Sequence, residues 1–141
     1  IADALTIGRP LVERRQQAVT VTEPADLRPI EADRGRLTQA LINLLSNASK
    51  YSPIGTTIDV GVVARPGAVR VSVADQGPGI PPEERVNVYR RFIRLNEDKE
   101  EQQGIGLGLY LAKKITEAHG GEVGVDDRPG GGAVFWLEIP A

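Results

Sequence analysis

The chain has 141 residues, with 17 Lys plus Arg against 19 Asp plus Glu and a formal charge of −2. That length suits a single domain that buries roughly two thirds of its unfolded surface. Hydrophobic residues at 40% and charged residues at 26% exclude wholesale disorder, and near-neutral charge removes the footprint of a nucleic-acid or membrane-surface binder.

Residues 1–18 read as a helix with Ile1, Leu5, Leu11 and Val12 as apolar positions, interrupted by Gly8 and Pro10. Val19 to Thr22 is a short β-branched strand closed by Glu23-Pro24. From Arg34 a strong helix begins, since Leu37, Leu41, Leu44, Leu45 and Ala48 follow the 3.6-residue period up to Pro53-Ile54-Gly55. Ile58, Val60 and Val62 then alternate with other residues, as do Val69, Val71 and Val73, and Arg65-Pro66-Gly67 between them predicts a hairpin. Residues 76–106 lose regular pattern, apart from a short helix expected over Glu83 to Phe92 and an acidic run from Glu97 to Glu101. A second strong helix is predicted from about Leu107 to His119, stopped by Gly120-Gly121. Val123 and Val125 mark a strand, and Ala133 to Pro140 is the last. The expected architecture is α+β: a two-layer sandwich in which a mixed, mostly antiparallel sheet is packed on one face by about three helices.

Several chemistries are closed to this chain. Zero Cys excludes a disulfide framework, a thiolate zinc site and a cysteine nucleophile, and one His cannot build a multi-histidine metal site. No apolar run approaches the ~18 residues needed to span a bilayer. There is no Met, even at position 1, so the chain reads as a piece of a longer protein.

Three elements invite a functional reading. Asn43, Asn47 and Lys50 stand at i, i+4 and i+7, on a helix face roughly 120° from the leucines. Such a row is either a solvated polar face or a set of amide oxygens for a hard cation with an ammonium for phosphate. Asp75-Gln76-Gly77-Pro78-Gly79-Ile80 follows a strand directly. It is either an ordinary turn or an acid placed to accept from an exocyclic amine, with glycines that admit a flat ring. Gly104-Ile105-Gly106-Leu107-Gly108-Leu109 opens the second strong helix, where exposed N–H groups can hold phosphate. It is neither a dinucleotide fingerprint nor a Walker loop.

In this order and spacing the three resemble the catalytic ATP-binding domain of sensor histidine kinases, in the Bergerat-fold superfamily shared with DNA gyrase, the large heat-shock chaperone and mismatch-repair ATPases. Leu41 to Pro53 looks like that family's N box, Asp75 to Ile80 its G1 box, Tyr89 to Arg94 its F box, and Gly104 to Leu109 its G2 box. Gly130 to Phe135 is similar to the closing Gly-rich strand. The resemblance implies Mg²⁺ and ATP as cofactors, with Asn47 as the metal ligand, Lys50 on phosphate, Tyr51 near ribose or adenine and Asp75 on the adenine amine. It also implies that Gly77, Gly79 and Ile80 shape the base pocket, and that Gly104, Ile105, Gly106, Leu107, Gly108 and Leu109 line the nucleotide. Residues 93–106 would form a mobile ATP lid hinged on Gly104, Gly106 and Gly108. Arg91 and Arg94 would reach the terminal phosphates, joining Asn43 and Lys50 in catalysis. Ala133 stands where the family usually has Ser or Thr, so a hydroxyl contact is missing, and the lid is unusually acidic.

The implied activity is transfer of the γ-phosphate to a histidine on a separate dimerising helical domain. That acceptor would precede residue 1, so this piece alone is not expected to phosphorylate itself; residues 1–18 would form the junction. His119 is expected to cap a helix rather than to accept phosphate. The implied partners are the acceptor domain of the same parent, a homodimer when full length, and a response regulator, with no nucleic acid and no membrane contact. The implied location is cytoplasmic, including the cytoplasmic part of a membrane-bound sensor. A gyrase-like ATPase is the main alternative, but the place of its water-activating Glu holds Asn43, which cannot act as a general base. An anti-sigma-type serine kinase stays open. The intact Asn47, Lys50, Asp75 and Gly104 to Gly108 argue against a nucleotide-binding module without catalysis.

Overall fold

Alternation along the strands decides which face of the sheet is dry. A computed structural model of the chain describes residues 2–25, 30–85, 89 and 99–141. The strands are β1 (Ala18–Thr22), β2 (Thr57–Arg65), β3 (Ala68–Ala74), β4 (Glu122–Asp127) and β5 (Ala133–Pro140). They form one sheet in the order β1-β2-β3-β5-β4. Only β1 and β2 run parallel; the other neighbours are antiparallel. Ile58, Val60 and Val62 on β2, Val71 and Val73 on β3, and Phe135, Leu137 and Ile139 on β5 are buried on the helix side. The residues between them make the other face, where the Arg70 guanidinium stacks 3.8 Å from the Trp136 ring centroid.

Among the described residues, three helices cover the dry face: α1 (Ala2–Glu13), α2 (Arg34–Tyr51) and α3 (Lys99–Ala118). In α2, Ala40, Leu44, Leu45 and Ala48 are buried, and full burial of a leucine such as Leu44 contributes about 1.5–3 kcal/mol. Asp33 caps α2 by accepting from the Arg36 N–H at 3.0 Å. His119 ties this end to α3: its Nδ1 meets the Ile115 carbonyl at 2.8 Å, and its Nε2 accepts the Asp33 N–H at 3.0 Å. That pattern requires the neutral imidazole with its proton on Nδ1, and the expected capping role of His119 is what the geometry shows. No helix among the described residues is long and apolar enough to cross a membrane.

Three helix boundaries differ from expectation. The first helix runs unbroken through Gly8 and Pro10 and ends at Glu13. Pro10 forfeits one ladder bond, while Gly8 permits close packing, since a Cβ there would lie 2.5 Å from Leu45 Cδ2. The second strong helix was expected to begin near Leu107, yet α3 begins at Lys99. Lys99-Glu100-Glu101-Gln102-Gln103 are all good helix formers, which outweighs the glycines that follow. Over Glu83 to Phe92, the described part is a short 3-10 turn, Pro82–Glu84, closed by Arg85, and the remainder, Tyr89 apart, lies outside the described residues.

Two helices end by the same device with different residues. After α3, Gly120 N–H bonds the Glu117 carbonyl at 2.9 Å and Gly121 N–H bonds Thr116 at 3.0 Å. After α1, Gln16 N–H bonds Glu13 at 2.9 Å and Gln17 N–H bonds Val12 at 3.0 Å. Both are Schellman closures, with the left-handed residue Gly120 (φ 79°) in one and Gln16 (φ 57°) in the other. Left-handed backbone costs an L-residue roughly 1–2 kcal/mol. Gln16→Gly should therefore stabilise the fold, by up to ~1 kcal/mol after the entropy of the freer unfolded chain is deducted. Gly120→Gln should destabilise it. Chemical denaturation measures both, and a destabilised Gln16→Gly would contradict the account.

Candidate functional site

The end of β3 delivers a carboxylate into the protein interior. Asp75 is only 2% exposed. Its Oδ1 accepts the N–H of Gly77 at 2.9 Å and of Ala133 at 3.1 Å, and its own N–H reaches the Ala133 carbonyl at 2.9 Å. Such tight wrapping needs small neighbours: a Cβ on Gly132 would lie 2.1 Å from the Asp75 carbonyl oxygen, and one on Gly77 would lie 2.6 Å from that of Tyr51. Burial pushes the Asp75 carboxyl above its ordinary value, against the lowering by the two amides and by the Arg128 charge. Ala133 lacks the hydroxyl of the Ser or Thr expected there, and serves the carboxylate through its backbone instead. Gly79 has φ 81°, and Ile80 packs against the hydrophobic core.

Asn47 sits on α2 with its side chain sealed in. It is 1% exposed, and neither Oδ1 nor Nδ2 has a hydrogen-bond partner. An orphaned buried amide is costly, about 1–3 kcal/mol, and such a group is a natural oxygen donor to a ligand or cation. Among the described residues no group of three His, Cys, Asp or Glu could hold a metal ion, so a cation here would rely on Asn47 and on oxygens that a phosphate brings. Lys50 is exposed and Tyr51 half-buried one turn further on.

Other expected site residues are placed differently. Asn43 has both amide atoms engaged: Nδ2 donates to the Gly108 carbonyl at 3.0 Å, and Oδ1 accepts from Gln39 at 2.9 Å. In this state it braces α2 against α3. Gly104, Ile105, Gly106, Leu107 and Gly108 lie inside α3 rather than at its start, so their N–H groups belong to the helical ladder and are not presented to a phosphate. Leu109 is 5% exposed and is a core residue rather than a lining one. Tyr89 of the F-box-like run is also core, its ring edge-on to Phe135 and its hydroxyl donating to the Gly124 carbonyl at 2.8 Å. Arg91 and Arg94, with the lid stretch 93–98, lie outside the described residues.

Two contacts that build the site were missed by the sequence reading. The Ser52 hydroxyl accepts the Gln76 N–H at 2.9 Å, joining the end of α2 to the Asp75 turn. Arg128 reaches Asp59 at 3.3 Å while its charge acts on Asp75. A serine directly before Pro53 at a helix end is the one clue available for the first.

A sheet covered on one face by helices thus brings a buried carboxylate on a Gly-Pro turn against the end of an asparagine-bearing helix. Residues 32–141 match the model of the histidine kinase-, DNA gyrase B-, and HSP90-like ATPase family, and the chain belongs to that family. It is 40% identical over 118 residues, 83% of its length, to the adaptive-response sensory kinase SasA of Prochlorococcus marinus. It is 42% identical over 127 residues, 89% of its length, to SasA of Trichormus variabilis. In each case it spans 31% of the relative. Among solved structures, the catalytic domain of histidine kinase ThkA superposes with a TM-score of 0.85 at 31% identity, covering 99% of this chain and 88% of that one. Full-length ShkA in complex with AMPPNP gives 0.82 at 34% identity, covering 99% and 28%. ThkA in complex with the response regulator TrrA gives 0.81 at 28% identity, covering 99% and 38%.

The buried carboxyl predicts a pH signature. With a raised value in the folded state, Asp75 holds its proton more tightly when folded than when unfolded. Its ionisation therefore subtracts stability as pH rises from about 3.8, its ordinary value, through the folded value. Asp75→Asn keeps an oxygen for both amides and removes the buried charge. The stability of the variant relative to the unmodified chain should grow with pH across that window and level off above it. Urea denaturation from pH 4 to 8 reads the difference; a flat or falling curve would sink the assignment.

Proposed function

We propose that this chain binds ATP with Mg²⁺ and serves as the phosphate-donating part of a sensor histidine kinase in two-component signalling. The observation that carries the reading is the sealed, unpartnered Asn47 amide on the same helix that frames buried Asp75. Asp75 would accept the adenine amine while its other oxygen stays on the Gly77 and Ala133 amides. Asn47 would offer its Oδ1 to the cation, and Lys50 its ammonium to the phosphates. Mg²⁺, when bound, neutralises phosphate charge and holds the terminal groups in a fixed orientation. Asn43 would turn its amide to the phosphates on giving up Gly108. Arg91 and Arg94 would add permanent charge on the terminal phosphates.

The glycines of α3 support the same reading. A Cβ on Gly108 would meet Asn43 Cγ at 3.6 Å, an ordinary contact, so packing in this state does not demand glycine there. A glycine inside a helix costs about 1 kcal/mol relative to alanine, which is consistent with a turn that is reshaped around phosphates. Transfer to a protein histidine is favoured over hydrolysis because Asn43 stands where a hydrolase needs a base. The acceptor histidine, on a dimerising domain of the same parent, and a response regulator would be the partners, at a cytoplasmic location. The relatives named as sensory kinases and the ThkA complex with a response regulator support the kinase and response-regulator parts of this reading.

Calorimetric titration tests binding. Asp75→Asn should weaken ATP by roughly 10- to 100-fold, the loss of one charge-assisted hydrogen bond with groups left unpaired, and Asn47→Ala should remove the Mg²⁺-dependent part. Unchanged affinity in Asp75→Asn would refute the adenine assignment. With the parent's acceptor domain supplied in trans, label from γ-labelled ATP should appear as acid-labile, base-stable phosphohistidine, and ATP turnover by the chain alone should be very slow. Brisk phosphate release with no labelled acceptor would make the domain an ATPase.

A further inference from the structure

The turn after α1 is wired into the candidate site. Gln17 is 5% exposed although it is a polar residue at the mouth of β1. Its amide nitrogen faces three acceptors at and just beyond the end of α2: the carbonyls of Ser49 at 3.0 Å, Ser52 at 3.1 Å and Pro53 at 3.2 Å. Its amide oxygen accepts the Ser49 hydroxyl at 2.5 Å. Arg15 grips two of the same carbonyls, Nε to Ser49 and Nη2 to Ser52, both at 3.0 Å. Its own carbonyl accepts the Gly55 N–H at 3.1 Å. The last carbonyls of a helix have no partner inside it, and here side chains more than thirty positions away supply one.

The held segment is also the floor of the Asp75 turn. Ser52, itself buried, accepts the Gln76 N–H at 2.9 Å. The Tyr51 carbonyl lies so close to Gly77 that a Cβ there would come within 2.6 Å of it. Gly77 in turn donates to Asp75 Oδ1. A displacement of Ser49–Pro53 is therefore passed through two hydrogen bonds and one backbone contact to the carboxylate.

We propose that Gln17, assisted by Arg15, is a positioning residue for the nucleotide site, which fixes the Asp75–Gly77 turn by clamping the C-terminal end of α2, and so links the segment that follows α1 to recognition of the base. The proposal rests on the ATP-binding reading above. A residue that merely fills space would affect melting alone, whereas one that aims Asp75 must also affect which base is accepted.

The test replaces Gln17 by Met, similar in size but unable to bridge the carbonyls, at a temperature where denaturation shows every variant folded. Gln17→Met should weaken ATP by about tenfold, the scale of one misplaced hydrogen bond to a charged group, and should shrink the preference for ATP over GTP. The amide resonances of Gly77 and Ala133, which Gln17 does not touch, should shift in the nucleotide-free protein. Unmoved resonances with an unchanged ATP-to-GTP ratio would overturn the proposal. Should Gln17→Met not fold, Ser52→Ala, which cuts only the link to Gln76, must produce the same shifts and the same loss of preference, and its failure to do so overturns the proposal equally. If the unmodified chain binds no ATP, both readings fall. If it binds and Gln17→Met binds as well, only this one does.

Discussion

A carboxylate removed from water, Asp75, is the constraint around which the rest of this molecule is arranged. Burial of a charge is strongly unfavourable unless donors replace the lost water. The fold answers with backbone. Gly77 comes from the same turn, but Ala133 is 58 positions away, so the carboxylate is satisfied only where β5 lies beside β3. The strand order β1-β2-β3-β5-β4 achieves that. Gly132 then follows from the same geometry, since its Cβ would strike the Asp75 carbonyl.

The long helix α2 carries two opposed demands. Leu44, Leu45 and Ala48 anchor it to the sheet, while Asn47, three residues after Leu44, takes an amide into the interior without a partner. The apolar face contributes several kcal/mol (on the order of 1.5–3 for each fully buried leucine), which exceeds the roughly 1–3 kcal/mol that an orphaned amide subtracts. Both ends of the helix are then secured: His119 and the Asp33 cap at the start, Gln17 and Arg15 at the finish. A helix fixed at both termini holds Asn47 at a set depth, which a frayed one could not do.

Much of this was legible in the residues themselves. Period 3.6 in Leu37, Leu41, Leu44, Leu45 and Ala48 and period 2 in β2 and β3 are local signals, so α2, the hairpin and the one-sided core are readable from short windows. Asp75 was legible because strand, acid and glycines are contiguous. The start of α3 was not, since the glycines at 104, 106 and 108 argue for a stop while the Lys-Glu-Gln run before them argues for continuation, and propensity alone does not rank the two. Asn43 and Asn47 look alike in sequence; only tertiary packing gives one a partner in Gly108 and denies the other any. Gln17 was silent for the same reason, because its acceptors are carbonyls, which every residue has.

The glycines separate into two kinds, and the difference bears on what the fold does. At Gly77, Gly121 and Gly132 a Cβ would fall within 2.6 Å of a backbone oxygen, at 2.6, 1.9 and 2.1 Å respectively, so close approach alone accounts for them. Gly108 meets nothing nearer than 3.6 Å, yet it lowers the stability of the helix that contains it, by about 1 kcal/mol relative to alanine. Packing explains the first kind and leaves the second unexplained. A residue that weakens α3 at the point where Asn43 grips it makes that contact easy to break. The Asn43 amide is held by one carbonyl and one exposed glutamine, whereas Asp75 is held by two backbone amides. Asp75 is thus fixed by the strand order that brings β5 beside β3, while the Asn43 side chain adds one cross-helix hydrogen bond to α2–α3 packing that does not otherwise depend on it.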